Sequence, residues 1–127
     1  MNKPSNTDPH VLVFNLIYTA EQLWIFHVLT RSYAEHKALG EIYDEIQSYK
    51  DAVTENLIGQ EQVTDLSGSL EFPFTTAPAN ALSLLEETKE RLEEFFHEDS
   101  GWSCDLQNMK DDMVGKINHT IYLLRLK

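Results

Sequence analysis

The sequence has one cysteine, Cys104, so it can form no intrachain disulfide and no cysteine-based zinc cluster. A lone thiol fits a reducing compartment, and the expected location is the cytoplasm. Basic residues are also scarce: 10 Lys and Arg stand against 21 Asp and Glu, giving a net charge of -11. A nucleic-acid backbone needs cationic side chains to replace its counterions, so DNA and RNA are not expected partners. The opening segment, MNKPSNTDPH, holds one lysine and provides no basic tail. Convincing strand patterns, internal repeats and low-complexity tracts are lacking too.

The longest apolar run, Val11 to Leu29, is interrupted by Asn15, Glu21, Gln22 and His27. A charged residue at the centre of a bilayer is costly, and no basic segment with a cleavage site precedes this run. It is read as a buried helix, with no membrane association expected. The 127 residues are one domain's worth, 42% hydrophobic and 24% charged, as in ordinary soluble proteins. The expected organisation is an N-terminal arm over 1–9 and a single domain over 10–127.

Four segments carry helical periodicity. The first opens on Asp8-Pro9, an N-cap acid followed by proline at the first helical position. Its stripe is Val13, Leu16, Ile17, Ala20, Leu23, Trp24, His27 and Val28, wide enough for more than one neighbour. A break is expected at Thr30-Arg31-Ser32, because Ser32 and Glu35 form a capping box; a continuous helix through residue 32 is the alternative. The second helix then runs from Tyr33 to about Ile58, with Gly59 as its stop. At ~1.5 Å per residue it is ~39 Å long.

Residues 60–76 contain Gly68, Pro73 and several Ser and Thr, and read as irregular connection. Fully extended, they reach ~56–60 Å, enough to cross the length of a bundle. The third helix is placed from about Thr76-Ala77-Pro78, with Leu82, Leu85, Leu92 and Phe96 on one face and Phe95 beside it. The fourth is capped by Ser103 and carries Leu106, Met109, Met113, Ile117, Ile121 and Leu124. Short outer links and one long middle connection predict an all-α, ferritin-like four-helix bundle with its long connection between helices two and three.

The chemistry-bearing residues concentrate on the first two helices. His27 and His36 stand nine residues apart, and Asp51 and Glu55 follow on one helical face. His36 and Asp51 are separated by ~22 Å along a helix, so one ion shared among them needs a second helix or a second subunit. Glu94 and His97 have the spacing of a di-iron motif, but no partner motif accompanies them.

His36, Leu39, Tyr43, Asp51 and Glu55, with the closing run DLQNMKDDMVGKINHTIYLLRLK, resemble the second and last helices of the Dps-like branch of the ferritin-like superfamily. The chain also resembles a small group of bacteriophage proteins in that superfamily, through the segment from Tyr33 to Gly40. The resemblance implies a homo-oligomer in the host cytoplasm that binds or oxidises iron at an intersubunit site. It assigns His27, Asp51 and Glu55 as ligands, with His36 nearby. Where that family has an acid four residues after the second-helix histidine, this chain has Gly40.

A reading from a different class stays open beside it. His27, Tyr33, His36, Lys37 and Tyr43 would form a pocket of a non-catalytic binding protein. Its cargo would be a small host ligand, for example a nucleotide immune signal, or a host protein.

Overall fold

A computed structural model describes residues 8–67 and 73–126. They form four α-helices: α1 (Pro9–Leu29), α2 (Tyr33–Gly59), α3 (Ala81–Phe95) and α4 (Cys104–Arg125). The described residues contain no strand, so the fold is all-α. Residues 1–7 of the expected arm lie outside the described residues, and so does Gly68 of the connection.

Local chemistry sets the helix ends. The Asp8 carboxylate accepts from the His10 amide at 2.9 Å and caps α1. The break expected near Ser32 is present: α1 stops at Leu29, and the Ser32 hydroxyl accepts from the Glu35 amide at 3.2 Å to start α2. The stop expected at Gly59 falls slightly later. Gly59 closes the helix, and the left-handed residue is Glu61, with φ 60°. The Gln62 amide then returns to the Leu57 carbonyl at 2.8 Å, satisfying a helix-end acceptor. The third helix also begins later than its sequence signal. Pro78–Asn80 form a single 3-10 turn, and the α-helix starts at Ala81.

α1 packs on α2 and α3, and α4 packs on the same two helices. The order around the bundle is therefore α1, α2, α4, α3, with α2 and α3 diagonal although consecutive in sequence. A diagonal pair cannot be joined by a tight turn, which explains the long connection between them. The core is continuous through Leu16, Leu23 and Phe26 of α1, Leu39, Ile42, Ile46 and Leu57 of α2, Leu85 and Leu92 of α3, and Leu106 and Ile117 of α4. Each such side chain contributes about 1.5–3 kcal/mol by leaving water.

Two members of the stripe expected on α1 are not core: Trp24 is 45% exposed and Val28 47%. Leu12 and Phe26 are buried instead, because the helix turns a neighbouring line of its broad apolar surface inward. By length and composition α1 is apolar enough to cross a membrane, with a mean hydropathy of 1.3, but here much of that surface is packed against helices.

The connection is pinned to α1. Gln22, 1% exposed, donates from Nε2 to the Thr75 carbonyl and accepts from the Thr75 amide at its Oε1, both at 2.8 Å. One turn earlier, the Tyr18 hydroxyl donates to the Pro73 carbonyl at 3.2 Å and the Tyr18 ring stacks on Phe74. At the other end Phe95, Phe96 and Trp102 form an aromatic cluster around the α3–α4 turn, where Gly101 adopts φ 83°.

Candidate functional site

Only residues 30–32 separate α1 from α2, so the last turn of one helix faces the first turns of the other. His27 and His36 meet in that space. Their rings stack with centroids 3.9 Å apart and 17° between planes. His27 Nδ1–H donates to the His36 carbonyl at 2.7 Å, and His36 Nδ1–H donates to the His27 carbonyl at 2.7 Å. A carbonyl oxygen can only accept, so the proton of each neutral ring sits on Nδ1 and each Nε2 keeps its lone pair. The bond from His36 also serves α1, because His27 carries one of the carbonyls that a helix C-terminus leaves without a partner. The histidines thus form a clasp across the turn.

Gly40 makes the clasp possible. A Cβ at this position would lie 2.8 Å from His27 Cε1 and 3.1 Å from His27 Nδ1. The glycine costs α2 about 1 kcal/mol of helix propensity and leaves the opening in which the His27 ring lies.

Around the clasp, His27, Tyr33, His36, Lys37 and Tyr43 line one cleft of about 510 Å³. Trp24, Glu41 and Asp44 complete its walls. Tyr33 is 79% exposed and Trp24 nearly half exposed, so two aromatic faces flank the opening. Lys37 forms no ion pair among the described residues. The Tyr43 hydroxyl accepts from Gln47 Nε2 at 3.0 Å and keeps its own proton to donate. The cleft therefore offers the Lys37 cation, the carboxylates of Glu41 and Asp44, two imidazoles and aromatic surface.

Asp51 and Glu55 are exposed and lie well along α2 from this cleft, with ~22 Å of helix between His36 and Asp51. One chain brings the two histidines together, and the two acids together, but not the pairs with each other. Among the described residues no three His, Cys, Asp or Glu side chains converge as a metal site. Within one chain, the described residues therefore do not gather the mixed carboxylate and imidazole set that iron favours. His97 Nδ1 accepts from the Asp99 amide at 3.1 Å, in the loop after α3.

Sequence reasoning gave Gly40 no role beyond displacing an acid. The available signal was a glycine isolated inside a strongly helical pattern, which often marks a close approach. Trp24 reads as packing in the sequence, Glu41 only as the acid displaced one step from the position of Gly40, and Asp44 carries no sequence signal.

These features define an all-α protein of four packed helices with a histidine-clasped cleft at its first turn. Within that class, the chain belongs to DUF5856, a family of unknown function whose model matches residues 27–124. The match starts on His27 and spans the clasp, Gly40 and helices α2 to α4. No curated protein and no solved structure matches the chain.

Proposed function

We propose that this protein is a non-catalytic helical binding protein that captures a small ligand in the cleft at the α1–α2 turn. The observation that carries the reading is the convergence of His27, Tyr33, His36, Lys37 and Tyr43 on one cleft. The ligand best matched to it has a flat polar ring and an anionic group, as nucleotides do. The ring would lie against Trp24 or Tyr33, where aromatic faces favour stacking. Ring N–H groups would donate to the Nε2 lone pairs, and the anion would meet Lys37. The α2–α3 diagonal and its long connection support a ferritin-like version of the bundle, and a phage origin with a host signal as cargo is compatible with this chemistry.

Calorimetric titration with nucleoside monophosphates and cyclic dinucleotides tests the proposal. Saturable binding that Lys37→Ala and Tyr33→Ala each weaken about tenfold is the expected result. Binding insensitive to both changes, or none with any of these ligands, would sink it.

The iron reading retains one specific support. Metal-binding histidines commonly anchor their second nitrogen on a carbonyl, as both do here. Under that reading a second subunit would bring Asp51 and Glu55 to the clasp. Metal analysis, a solution mass and aerobic Fe(II) addition decide it: a monomer, or oxidation no faster than buffer, removes it.

A further inference from the structure

Helices α2 and α3 cover two sides of α1, and no helix among the described residues packs on its outer side. His10, Phe14, Ile17, Glu21, Trp24 and Val28 follow one another there at alternating steps of four and three residues, the spacing of a coiled-coil seam. All six are partly buried or exposed, Trp24 and Val28 nearly half exposed. Tyr33, Lys37, Asp44 and Asp51 share the adjoining face of α2, within ~40° of one another at ~100° per residue. The first three line the cleft beside Trp24, and Asp51 is exposed further along the same stripe.

Charge and symmetry select a second copy of the chain as the occupant. In a protein of net charge -11, α1 carries one acid, Glu21, and no Lys or Arg, so two copies approach here with least repulsion. The His27–His36 contact sets the level of α2 against α1. Along the helices, Lys37 then stands ~10 Å to one side of Thr19, the midpoint of α1, and Asp51 ~10 Å to the other. A two-fold axis at Thr19, perpendicular to the helices, therefore sets Lys37 against the partner's Asp51, twice. Neither residue forms an ion pair within its own chain among the described residues. Parallel copies would instead set Lys37 against the partner's Lys37.

We infer that two copies pair antiparallel through the outer face of α1, with α2 at the rim. Phe14 meets the partner's Trp24, Val28 meets the partner's His10, and Lys37 pairs with the partner's Asp51. The contact face is ~31 Å long and ~20 Å wide, the length of α1 and the width of two helices, or about 600 Å² per copy. Standard interfaces bury about 800 Å² per partner, so the dimer is reversible, with a Kd in the micromolar range. Glu21 and Asp44 lie nearest the axis and oppose the pairing. The dimer does not depend on what the cleft binds.

The test is sedimentation velocity of the full chain at concentrations up to about 200 µM, where a micromolar dimer is well populated. A monomer–dimer equilibrium is expected. Phe14→Gln with Val28→Gln abolishes the dimer, and thermal melts confirm that each variant is folded. Lys37→Asp and Asp51→Lys each weaken it about tenfold by turning two attractions into repulsions, and the two changes together restore it. Glu21→Gln tightens it about threefold by removing like charges near the axis. The inference is overturned by a parent protein that stays monomeric, by a dimer indifferent to the Phe14 and Val28 changes, or by a charge-swapped double variant that does not recover.

Discussion

Gly40 and His27 are matched across the α1–α2 turn: the space a Cβ would occupy at residue 40 is filled by the imidazole of residue 27, 2.8 Å away. The ring cannot simply swing aside, because it is stacked on His36 and hydrogen-bonded to its carbonyl. Gly40→Ala therefore forfeits the clasp, about 2 kcal/mol for two hydrogen bonds, against about 1 kcal/mol of helix propensity gained. Net destabilisation of about 1 kcal/mol or more is expected in chemical denaturation, once the clash is included. In a His27→Ala background the sign reverses, and Gly40→Ala stabilises by about 1 kcal/mol. A double-mutant cycle without that reversal would contradict the pairing.

The clasp also specifies a tautomer. Both neutral imidazoles should carry their proton on Nδ1, the minority form in free histidine. Long-range proton–nitrogen correlation spectra at mildly alkaline pH are expected to show the Nδ1–H pattern for His27 and His36. Exposed His119 serves as an internal reference. An Nε2–H pattern at either clasp residue would rule the reciprocal bonds out.

Much of this arrangement was legible in the sequence, and the remainder depends on three-dimensional crossing. Asp8-Pro9 and Ser32 with Glu35 mark helix starts through local hydrogen bonds, and both starts are where the sequence puts them. The five residues of the expected pocket share one cleft because four of them occupy neighbouring turns of α2. The exposed positions of Trp24 and Val28 were not legible. α1 is apolar on most sides, so periodicity alone cannot choose which line faces inward. Burial of Gln22 escaped for the opposite reason, since a polar residue signals burial only through the partner it finds, here 53 residues away.

That partner can be tested directly. Gln22→Leu keeps an apolar filling but removes both bonds to Thr75, and a loss of about 2 kcal/mol is expected. Hydrogen exchange at the Thr75 amide should accelerate well beyond the global change in stability. Unchanged protection at that amide would show that the connection is held elsewhere.

Alkaline pH should separate a buried contribution, that of Tyr49, from a surface one, that of Lys116. Burial pushes the Tyr49 phenol above its ordinary value of 10.0, so the folded state holds the proton to higher pH than the unfolded chain. Its contribution is complete below pH 10.0 and is lost as pH rises beyond it. Hydrogen bonds to Glu45 and Asp112 raise Lys116 above 10.5 with the same sign, so that loss starts later. Tyr49→Phe should gain about 1 kcal/mol at neutral pH by removing an unpartnered hydroxyl. It should also delay the alkaline fall in Tm, leaving only the Lys116 part. A profile superimposable on the parent's would exclude Tyr49 as the titrating group.

The grip of Gln22 on Thr75 gives the crossover two unequal halves. Val63 is buried just after α2, and Pro73 to Thr75 are fastened to α1, so both ends of the stretch between them are moored. Residues inserted between the moorings lengthen a tether whose endpoints stay fixed, and loop entropy charges little for that. Insertions between Thr75 and Ala81 would instead shift α3 against its anchor. Any peptide tag or reporter grafted into this protein belongs on the first half.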